Sequence, residues 1–429
     1  MGMVAVKTER ARASGPMGSN LLTAGDVANA AIPELSVQIH NLDEIGRVYG
    51  SGAALAASDH VREFLKYRLR DRESLGLAEY VLRQLSESPV AYDGQRFHLF
   101  VSLAPTGETK NCAYKVMPTV HGNPAFPDDA WCRRYRADMA LAVNLFEAMA
   151  EDRLSLAWQP VCGASNDAML YHECLLRAEP SGLPGVEHLA DTTGPTIEAL
   201  ERLGLIRALD RYVVAKTIDE LRIEPFMALG VNVSALSLAD DYWWADILAV
   251  LKQSPRIARR LFIEVTETAQ LASVADAANL LARFRALGCR IALDDFGVGH
   301  AAVRSILTLA HDVVKVDKFF VRNARTSPHG QRTLAHMIGL AESLGAIVIV
   351  EGIETESDSQ LALNAGAQWL QGYHYGRPMV SRPWRLTGDR LRDDADFGSA
   401  LDEAGSCGES ATQAGHIRAS ALCGTMAGE

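Results

Sequence analysis

Acidic and amide side chains end five short apolar runs in the second half of the chain. These residues are Asn232, Glu264, the adjacent pair Asp294–Asp295, Asp317 and Glu351. A single charge at the end of a buried strand usually forms an ion pair or caps a helix. Five such endings would bring several carboxylates together, and their mutual repulsion favours bound cations. Oxygen ligands without a cluster of His or Cys favour hard ions, Mg²⁺ or Mn²⁺.

The pair Asp294–Asp295 indicates a particular chemistry, because two divalent ions bridged by a shared aspartate are the usual device for attacking a phosphodiester. One ion activates a water, and both stabilise charge on the phosphoryl oxygens. The pair stands where a predicted strand meets a glycine-rich loop. Both carboxylates can therefore turn towards metal ions.

Two further pairs of residues lie on one face of a predicted strand. Glu173 and Arg177 are four residues apart and share a face, which places a metal ligand and a phosphate-binding guanidinium on one wall. Lys315 and Asp317 share a face by the same rule. Lys315 would orient a water or the phosphate, and a plain salt bridge is the alternative.

The pattern that positions these residues extends from 133 to 385, where short apolar runs alternate with longer helical patterns. The runs are SLAWQPV, HECLLR, LGVNVSA, LFIEVTE, RIALDDF, VVKVD, IVIVEGI and LQGYHY. Eight strands that alternate with helices predict an α/β fold with a parallel sheet closed into a TIM (β/α)₈ barrel. In such barrels the active site lies at the C-terminal rim of the strands, where the charged residues fall.

A small α+β domain is predicted before the barrel, over residues 33–129. Its expected elements are a strand at 35–39, helices at 53–70 and 79–87, an alternating strand at 96–103 and a turn-rich connection at 106–129. A helix at about 133–152 leads into the barrel. Segments 1–32 and 386–429, rich in small residues, are predicted to be a disordered leader and a disordered tail.

Composition excludes several classes of protein. The chain has 42 basic and 53 acidic residues, a net charge of −11, which disfavours binding to duplex nucleic acid. No apolar stretch approaches the length of a membrane span. The 7 cysteines include no C-x-x-C pair, and the N-terminus has no signal-peptide core. We therefore expect a cytoplasmic protein.

The motifs WQPV…HECLLR, VNVSAL, FIEVTET, LDDFGVG, VVKVDKFFV, VEGIE and LQGYHYGRPM occur in this order and closely resemble the EAL domain. This resemblance covers about Arg133 to Arg385. It implies a cyclic di-GMP phosphodiesterase with a modified TIM barrel that has one antiparallel strand. In the motif that names the family, Cys174 stands where Ala is usual, and we expect it to pack without altering the chemistry.

The resemblance also implies roles for individual residues. It assigns metal binding to Glu173, Asn232, Glu264, Asp294 and Asp295, with Asp317 nearby. It assigns Lys315 to the water, Glu351 to the general base or its positioning, and Gln371 to the shell of the water and the metal.

The remaining implied roles surround this centre. Arg177 would clamp a substrate phosphate, and Gln159 and Pro378 would lie near the substrate, with packing at a strand end as the alternative. Glu267 would anchor the loop after the DDFG strand, and Glu354 would support the site without touching the metals.

The expected reaction is hydrolysis of cyclic di-GMP to linear 5′-pGpG with two Mg²⁺ or Mn²⁺ ions per site, in a homodimer formed through the EAL domain. Ca²⁺ is expected to bind and inhibit, because its longer coordination places water poorly. The alternative is a catalytically silent EAL domain that serves as a cyclic di-GMP receptor or a protein-interaction module. The loop after Asp295 departs from the family pattern, with Val, His and two Ala at 298 and 300–302. This change predicts lowered or differently regulated activity.

The region before the barrel faintly resembles a GGDEF domain. Its segment VQIHNLDEIGRVYGSGAALAASDHVREFLKYRLR is similar to the opening strand and helix of that family. The chain contains no Gly-Gly dipeptide, so the turn that would hold GTP is missing. We expect a degenerate, shortened GGDEF-like domain that serves dimerisation or regulation and has no cyclase activity.

Overall fold

The computed structural model describes residues 21–23, 35–68, 77–105, 128–164, 168–178, 193–266, 271, 273–298, 309, 311–344 and 346–384. Glu267 and most of the altered loop, including residues 299–302, lie outside these ranges. Most of the predicted leader and all of the predicted tail lie outside them as well, so disorder in those segments stays a prediction.

The region before the barrel forms a small unit of helices and antiparallel strands. Strands β1 (Leu21–Thr23), β2 (Leu35–Ile39) and β5 (Val101–Pro105) form one sheet in the order β1-β2-β5, and β3 (Val90–Tyr92) pairs with β4 (Gln95–Phe97). The helices are α1 (Leu42–Tyr49), α2 (Ser51–Arg68) and α3 (Leu77–Glu87). Strand β1 lies within the segment predicted as leader. The degenerate GGDEF assignment stays a prediction.

The prediction of one continuous strand over 96–103 is wrong, because residues 98–100 interrupt it. The Asn41 side chain occupies this gap: its Nδ2 donates to the carbonyl of His98 at 3.0 Å, and its Oδ1 accepts from the Phe100 N–H at 2.9 Å. A side-chain amide thus replaces the strand partner that a regular ladder would require. The predicted strand is divided into β4 and β5.

Eight strands form the closed barrel predicted from the sequence. They are β6 (Leu154–Gly163), β7 (Met169–Ala178), β8 (Leu229–Ser234), β9 (Leu261–Thr266), β10 (Arg290–Phe296), β11 (Val313–Val316), β12 (Ile347–Val350) and β13 (Trp369–Gln371). Strand β6 is antiparallel to both of its neighbours, β13 and β7, and the other pairs are parallel. The modified TIM barrel with one antiparallel strand is confirmed.

Helices surround this barrel. They are α4 (Asp129–Ala150), which precedes it, α5 (Thr193–Leu203), α6 (Ile206–Ile223), α7 (Ala245–Gln253), α8 (Pro255–Ala258), α9 (Val274–Ala286), α10 (Lys318–Ala324), α11 (Pro328–Glu342) and α12 (Glu356–Asn364). Side chains of Ser273, Ser327 and Thr355 cap the N-termini of α9, α11 and α12. Among the described residues, no helix has the length and apolarity needed to cross a membrane.

The interior of the barrel has an apolar layer below the charged rim. This layer contains Val161, Tyr171, Phe262, Ala292, Val313, Ile349 and Trp369. The Tyr171 and Phe262 rings stack with their centroids 4.3 Å apart. Because strand side chains alternate between faces, the inward residues two positions further along several of these strands form the next layer. That layer contains the predicted site.

The Arg260 side chain joins the end of α6 to the start of β9, away from the charged rim. It is buried at the start of β9, and its guanidinium donates to the carbonyls of Leu221, Glu224 and Met227 at 2.8, 2.7 and 2.7 Å. These carbonyls belong to the C-terminal turn of α6 and the loop that follows. One side chain therefore satisfies several backbone acceptors that the end of the helix leaves unpaired.

Replacing Arg260 with alanine is expected to lower the free energy of unfolding by about 3 kcal/mol, because several buried carbonyls lose their donor. Urea denaturation monitored by circular dichroism measures this change. The matched control is Arg259→Ala, since Arg259 is the exposed neighbour and its loss should change stability by less than about 0.5 kcal/mol. Equal stability of the two variants would contradict the capping role.

Candidate active site

Lys315 lies at the centre of the charged layer with its side chain entirely buried. Its Nζ is 2.7 Å from Glu264 Oε2, 2.8 Å from Glu351 Oε1, 3.0 Å from Asp294 Oδ1 and 3.4 Å from Glu173 Oε2. One ammonium group therefore faces four carboxylates. When all are ionised, negative charge exceeds positive charge in a buried place, and protons or metal cations must compensate it.

The barrel register brings these residues together from strands that are far apart in sequence. Glu173 of β7 lies opposite Gly230 of β8, and Asn232 of β8 lies opposite Glu264 of β9. Lys315 lies opposite Ile349 of the next strand, two residues before Glu351. Parallel pairing thus aligns the charged strand ends at one rim, as the sequence predicted.

Asp294 and Asp295 both face the site because β10 is irregular there. Consecutive residues of a regular strand point to opposite faces, but the register of β10 with β11 shifts between Leu293 and Phe296. Asp295 has a φ of 54°, in the left-handed region. Ligand oxygens of Asp294, Asp295 and Glu351 consequently lie within 4.8 Å of one another. Strained backbone of this kind is typical of functional sites.

The amides of the site orient Glu173 and leave oxygen atoms for another ligand. Asn232 Nδ2 donates to Glu173 Oε1 at 2.6 Å, and Gln371 Nε2 donates to Glu173 Oε2 at 2.5 Å. The other amide oxygens, Asn232 Oδ1 and Gln371 Oε1, and also Glu264 Oε1, are buried and have no hydrogen-bond donor among the described residues. Buried acceptors of this kind normally find a partner. An all-oxygen donor set fits Mg²⁺ or Mn²⁺.

The pKa values of the cluster reflect its excess of negative charge. Burial raises the pKa of Glu264 to about 8 and that of Asp295 to about 6, and neighbouring carboxylates add to both shifts. Burial also raises the pKa of Glu351 well above its usual range, although Lys315 opposes the shift. Burial acts to lower the pKa of Lys315, but the four carboxylates outweigh it and raise that pKa. The lysine therefore stays charged, and cations would favour ionised carboxylates.

Gly230 provides the space that the Glu264 carboxylate occupies. A Cβ at this position would lie 2.0 Å from Glu264 Oε1 and 2.5 Å from the Tyr171 ring. Any larger residue would therefore displace a predicted metal ligand. No motif in the sequence marks Gly230, because its role depends on a neighbouring strand.

The loop after β8 is held by two acids that no motif in the sequence marks. Asp210 Oδ2 accepts from the Ser234 N–H at 3.0 Å and the Ser237 hydroxyl at 2.5 Å, and the Ser234 hydroxyl donates to Glu201 Oε1 at 2.6 Å. Burial raises the pKa of Asp210 to about 7. These bonds fix the strand end that carries Asn232. The sequence offers only a weak signal for this role, namely two acids on helices followed by a loop that contains Ser234 and Ser237.

Asp317 and Gln159 lie beside the cluster. Asp317 caps α10 by accepting from the Phe319 N–H at 2.7 Å, and its charge raises the pKa of Asp295. Gln159 Oε1 is 3.5 Å from Gln371 Nε2, and its own amide donates to the carbonyl of Gly376 at 3.2 Å. Both residues lie near the predicted metal ligands. Asp317 caps a helix, which is the ordinary role of a single charge at the end of a buried strand.

The contacts of Glu354 and of the segment around Pro378 lie outside the cluster around Lys315. Glu354 forms ion pairs with Arg325 at 3.1 Å and Arg322 at 3.6 Å, so it holds the segment that follows Glu351. Pro378 is half-buried, and the next residue pairs through its backbone with Trp158 of β6. The supporting role of Glu354 and the substrate contact of Pro378 both stay predictions.

A cleft of about 710 Å³ adjoins the cluster. Asn232 and Asp294 line it on the side of the cluster, and Arg177 of β7 lines it beside them. Ile197 and Leu209 add apolar surface. The cleft therefore combines oxygen ligands, a guanidinium and apolar walls, which suits a nucleotide with a phosphate group.

Comparison with known proteins gives the same family as the motifs. The family model described as EAL domain matches residues 142–378. An uncharacterized signaling protein of Caulobacter vibrioides is 28% identical over 76% of this chain and 42% of its own length. The cyclic di-GMP phosphodiesterase PdeF of Escherichia coli is 28% identical over 57% of this chain and 32% of its own length. The cyclic di-GMP phosphodiesterase NbdA of Pseudomonas aeruginosa is 26% identical over 72% of this chain and 41% of its own length. The chain thus spans less than half the length of these relatives.

Solved structures show the same barrel. The PaMucR phosphodiesterase, solved as a c-di-GMP complex, has a TM-score of 0.50 and 25% identity, and the match covers 56% of this chain and 98% of that one. The EAL enzyme Bd1971 in its cGMP-bound form has a TM-score of 0.51 and 19% identity, over 62% and 72% of the two chains. The second likeness concerns the fold alone.

Replacing Lys315 with methionine is expected to lower the free energy of unfolding in chelator by about 3–5 kcal/mol, because buried carboxylates lose their shared cation. Mg²⁺ is expected to restore part of the loss, because a cation that binds only the folded state would stabilise it. Thermal melts with chelator and with Mg²⁺ measure both effects. Lys252→Met, at an exposed lysine of α7, is the control. A Lys315→Met protein as stable in chelator as the control would contradict the charge argument.

Proposed function

Because this chain belongs to the EAL domain family, we propose that it is a metal-dependent phosphodiesterase that hydrolyses cyclic di-GMP to linear 5′-pGpG. The observation that carries the proposal is the group of carboxylates around Lys315, at the edge of a cleft that also contains Arg177. The names of the relatives PdeF and NbdA support the substrate.

The proposed metal ligands are Glu173, Asn232, Glu264, Asp294 and Asp295, and Mg²⁺ or Mn²⁺ is the proposed ion. Unpartnered acceptor oxygens in this set support the assignment. When bound, such ions lower the pKa of water and stabilise charge on phosphoryl oxygens. We propose that Ca²⁺ binds the same oxygens and inhibits, because its longer bonds place the substrate and water less well.

Glu351 is proposed to accept the proton of the attacking water or to position the group that accepts it. Its side chain is 16% exposed, whereas those of Glu264, Glu173 and Asp294 are 0%, 7% and 10% exposed. It is therefore the most exposed of the four carboxylates around Lys315. Lys315 holds its carboxylate at 2.8 Å, which fixes the direction in which it accepts a proton.

Arg177 and Gln371 complete the proposed arrangement. Arg177 donates to the carbonyl of Leu176 at 2.7 Å. It forms no ion pair with the described residues, and we propose that its other N–H groups bind a phosphate of the substrate. Gln371 orients Glu173 through its amide and would present its oxygen to the metal or the water. Gln159 and Pro378 are proposed to contact the substrate from the side of β6 and β13.

A homodimer through the EAL domain stays part of the proposal. Val298 and Phe319, both close in sequence to the site, have 46% and 55% of their surface exposed. Burial of these two apolar side chains in an interface would be favourable. Sedimentation analysis of the purified chain measures the oligomeric state.

The reaction is tested by incubating the purified chain with cyclic di-GMP and Mn²⁺ and identifying the product by chromatography. We expect 5′-pGpG with Mn²⁺ and no product in excess chelator, because the carboxylates alone cannot stabilise charge on phosphate. Tight binding of cyclic di-GMP without hydrolysis would indicate the receptor function instead. Hydrolysis at an equal rate in chelator would contradict the metal mechanism.

Glu351→Gln is expected to lower kcat by about 10²–10⁴-fold while substrate affinity changes only a few-fold, because a base acts mainly in the transition state. Arg177→Ala is expected to raise KM by about 10-fold or more, since a charge-assisted contact to phosphate is lost. Steady-state kinetics separates the two effects. The control is Glu342→Gln, at an exposed acid of α11, which should leave both constants unchanged. Most of the wild-type turnover in Glu351→Gln would show that another group is the base.

A further inference from the structure

One residue that lines the cleft beside the carboxylate cluster precedes the part of the chain that the family model matches. Arg134 lines this cleft together with Arg177 and Arg202. It belongs to α4, the helix between the N-terminal unit and the barrel, and it precedes residue 142, where the match to the family begins. The helix that joins the two parts of the chain therefore contributes a cation to the proposed substrate site.

The three arginines of the cleft differ in their partners. Arg202 donates to both carboxylate oxygens of Asp138 at 2.8 and 2.7 Å and lies 3.3 Å from Glu198. Its charge is therefore already compensated. Neither Arg134 nor Arg177 forms an ion pair with any residue in the described part of the chain. Two guanidinium groups thus remain available to an anionic ligand in the cleft.

Helix α4 is held firmly enough to place Arg134. Its N-terminus is capped by Asp128, which accepts from the Trp131 N–H at 2.8 Å. Tyr135 and Asp138, which follow Arg134 within about one helical turn, are buried. The Asp138 carboxylate accepts two hydrogen bonds from Arg202 of α5. Arg134 itself is exposed, so its side chain can reach a ligand without breaking a buried contact.

The charge of the cleft explains why a second cation matters. Its walls also carry acids, among them Glu198, Glu201, Asp210 and Asp294. The proposed substrate has two phosphodiester groups, each with one negative charge, so these acids would repel it. One arginine can balance the phosphate near the metal ligands, and the other phosphate needs a cation of its own.

We propose that Arg134 binds the phosphate of cyclic di-GMP that is not being cleaved, and that Arg177 binds the one that is. This inference rests on the proposed function. It makes α4 part of the substrate site and Arg134 a residue that determines affinity and leaves the chemical step unaffected. It also couples the N-terminal unit to the site, because Tyr135 contacts Asn41 of that unit through a hydrogen bond of 3.4 Å.

Binding of cyclic di-GMP to the full chain, measured by calorimetry in the Glu351→Gln background, tests the proposal. Arg134→Ala is expected to weaken binding by about 5- to 10-fold, because a charge-assisted contact at a partly solvated site is lost. Arg134→Lys should retain part of the affinity. In the chain with Glu351 intact, Arg134→Ala should raise KM by a similar factor and leave kcat within about two-fold.

The matched control is Arg133→Ala, at the neighbouring exposed arginine of α4, which does not belong to the cleft wall. It removes the same charge from the same helix turn and should leave binding unchanged. Binding by Arg134→Ala as tight as that of the control would overturn the proposal, and so would equal losses in both variants. If the unsubstituted chain fails to bind cyclic di-GMP, the proposed function fails first. If the unsubstituted chain binds cyclic di-GMP and the Arg134→Ala variant binds it equally tightly, only the inference about Arg134 is overturned.

Discussion

The arrangement of the charged site depends on one buried ammonium group. Lys315 has four carboxylate oxygens within 3.4 Å and no exposed surface. An ion pair stripped of water is stable only when every charge in it is compensated. Lys315 compensates one of the four carboxylates. The rest of the site, with its amides and unpartnered oxygens, has the composition expected of a place that holds divalent cations.

The surrounding structure keeps these charges in place. An apolar layer that includes the stacked rings of Tyr171 and Phe262 fills the barrel below them and excludes water from that side. The irregular backbone at Asp295 turns a second aspartate towards the same space. Gly230 leaves room for the Glu264 carboxylate. The left-handed backbone of Asp295 and the buried charges would be unfavourable in an ordinary core, and together they indicate a strained site whose cost the large fold compensates.

Much of this was accessible from the sequence, because alternation along a strand is a local property. Apolar runs that end in acids predicted both the barrel and the rim, and the structure brings Glu173, Glu264, Asp294 and Glu351 together there. Features that depend on distant packing were not accessible. The acids that hold the loop after β8 lie on helices, Gly230 is explained only by its neighbour strand, and the predicted strand over 96–103 was wrong because Asn41 interrupts it. Arg134 gains significance only from the place where α4 packs.

Direct titration of the purified chain with Mn²⁺, by calorimetry or by electron paramagnetic resonance, tests the central claim that cations complete the charge of the site. The account predicts binding of about two Mn²⁺ ions per chain in the presence of cyclic di-GMP. Binding should be weakened by Asp294→Asn and left unchanged by Asp276→Asn, at an acid in the first turn of α9 that is not one of the proposed ligands. Absence of Mn²⁺ binding at millimolar concentration, or equal binding by the Asp294→Asn variant, would contradict the account.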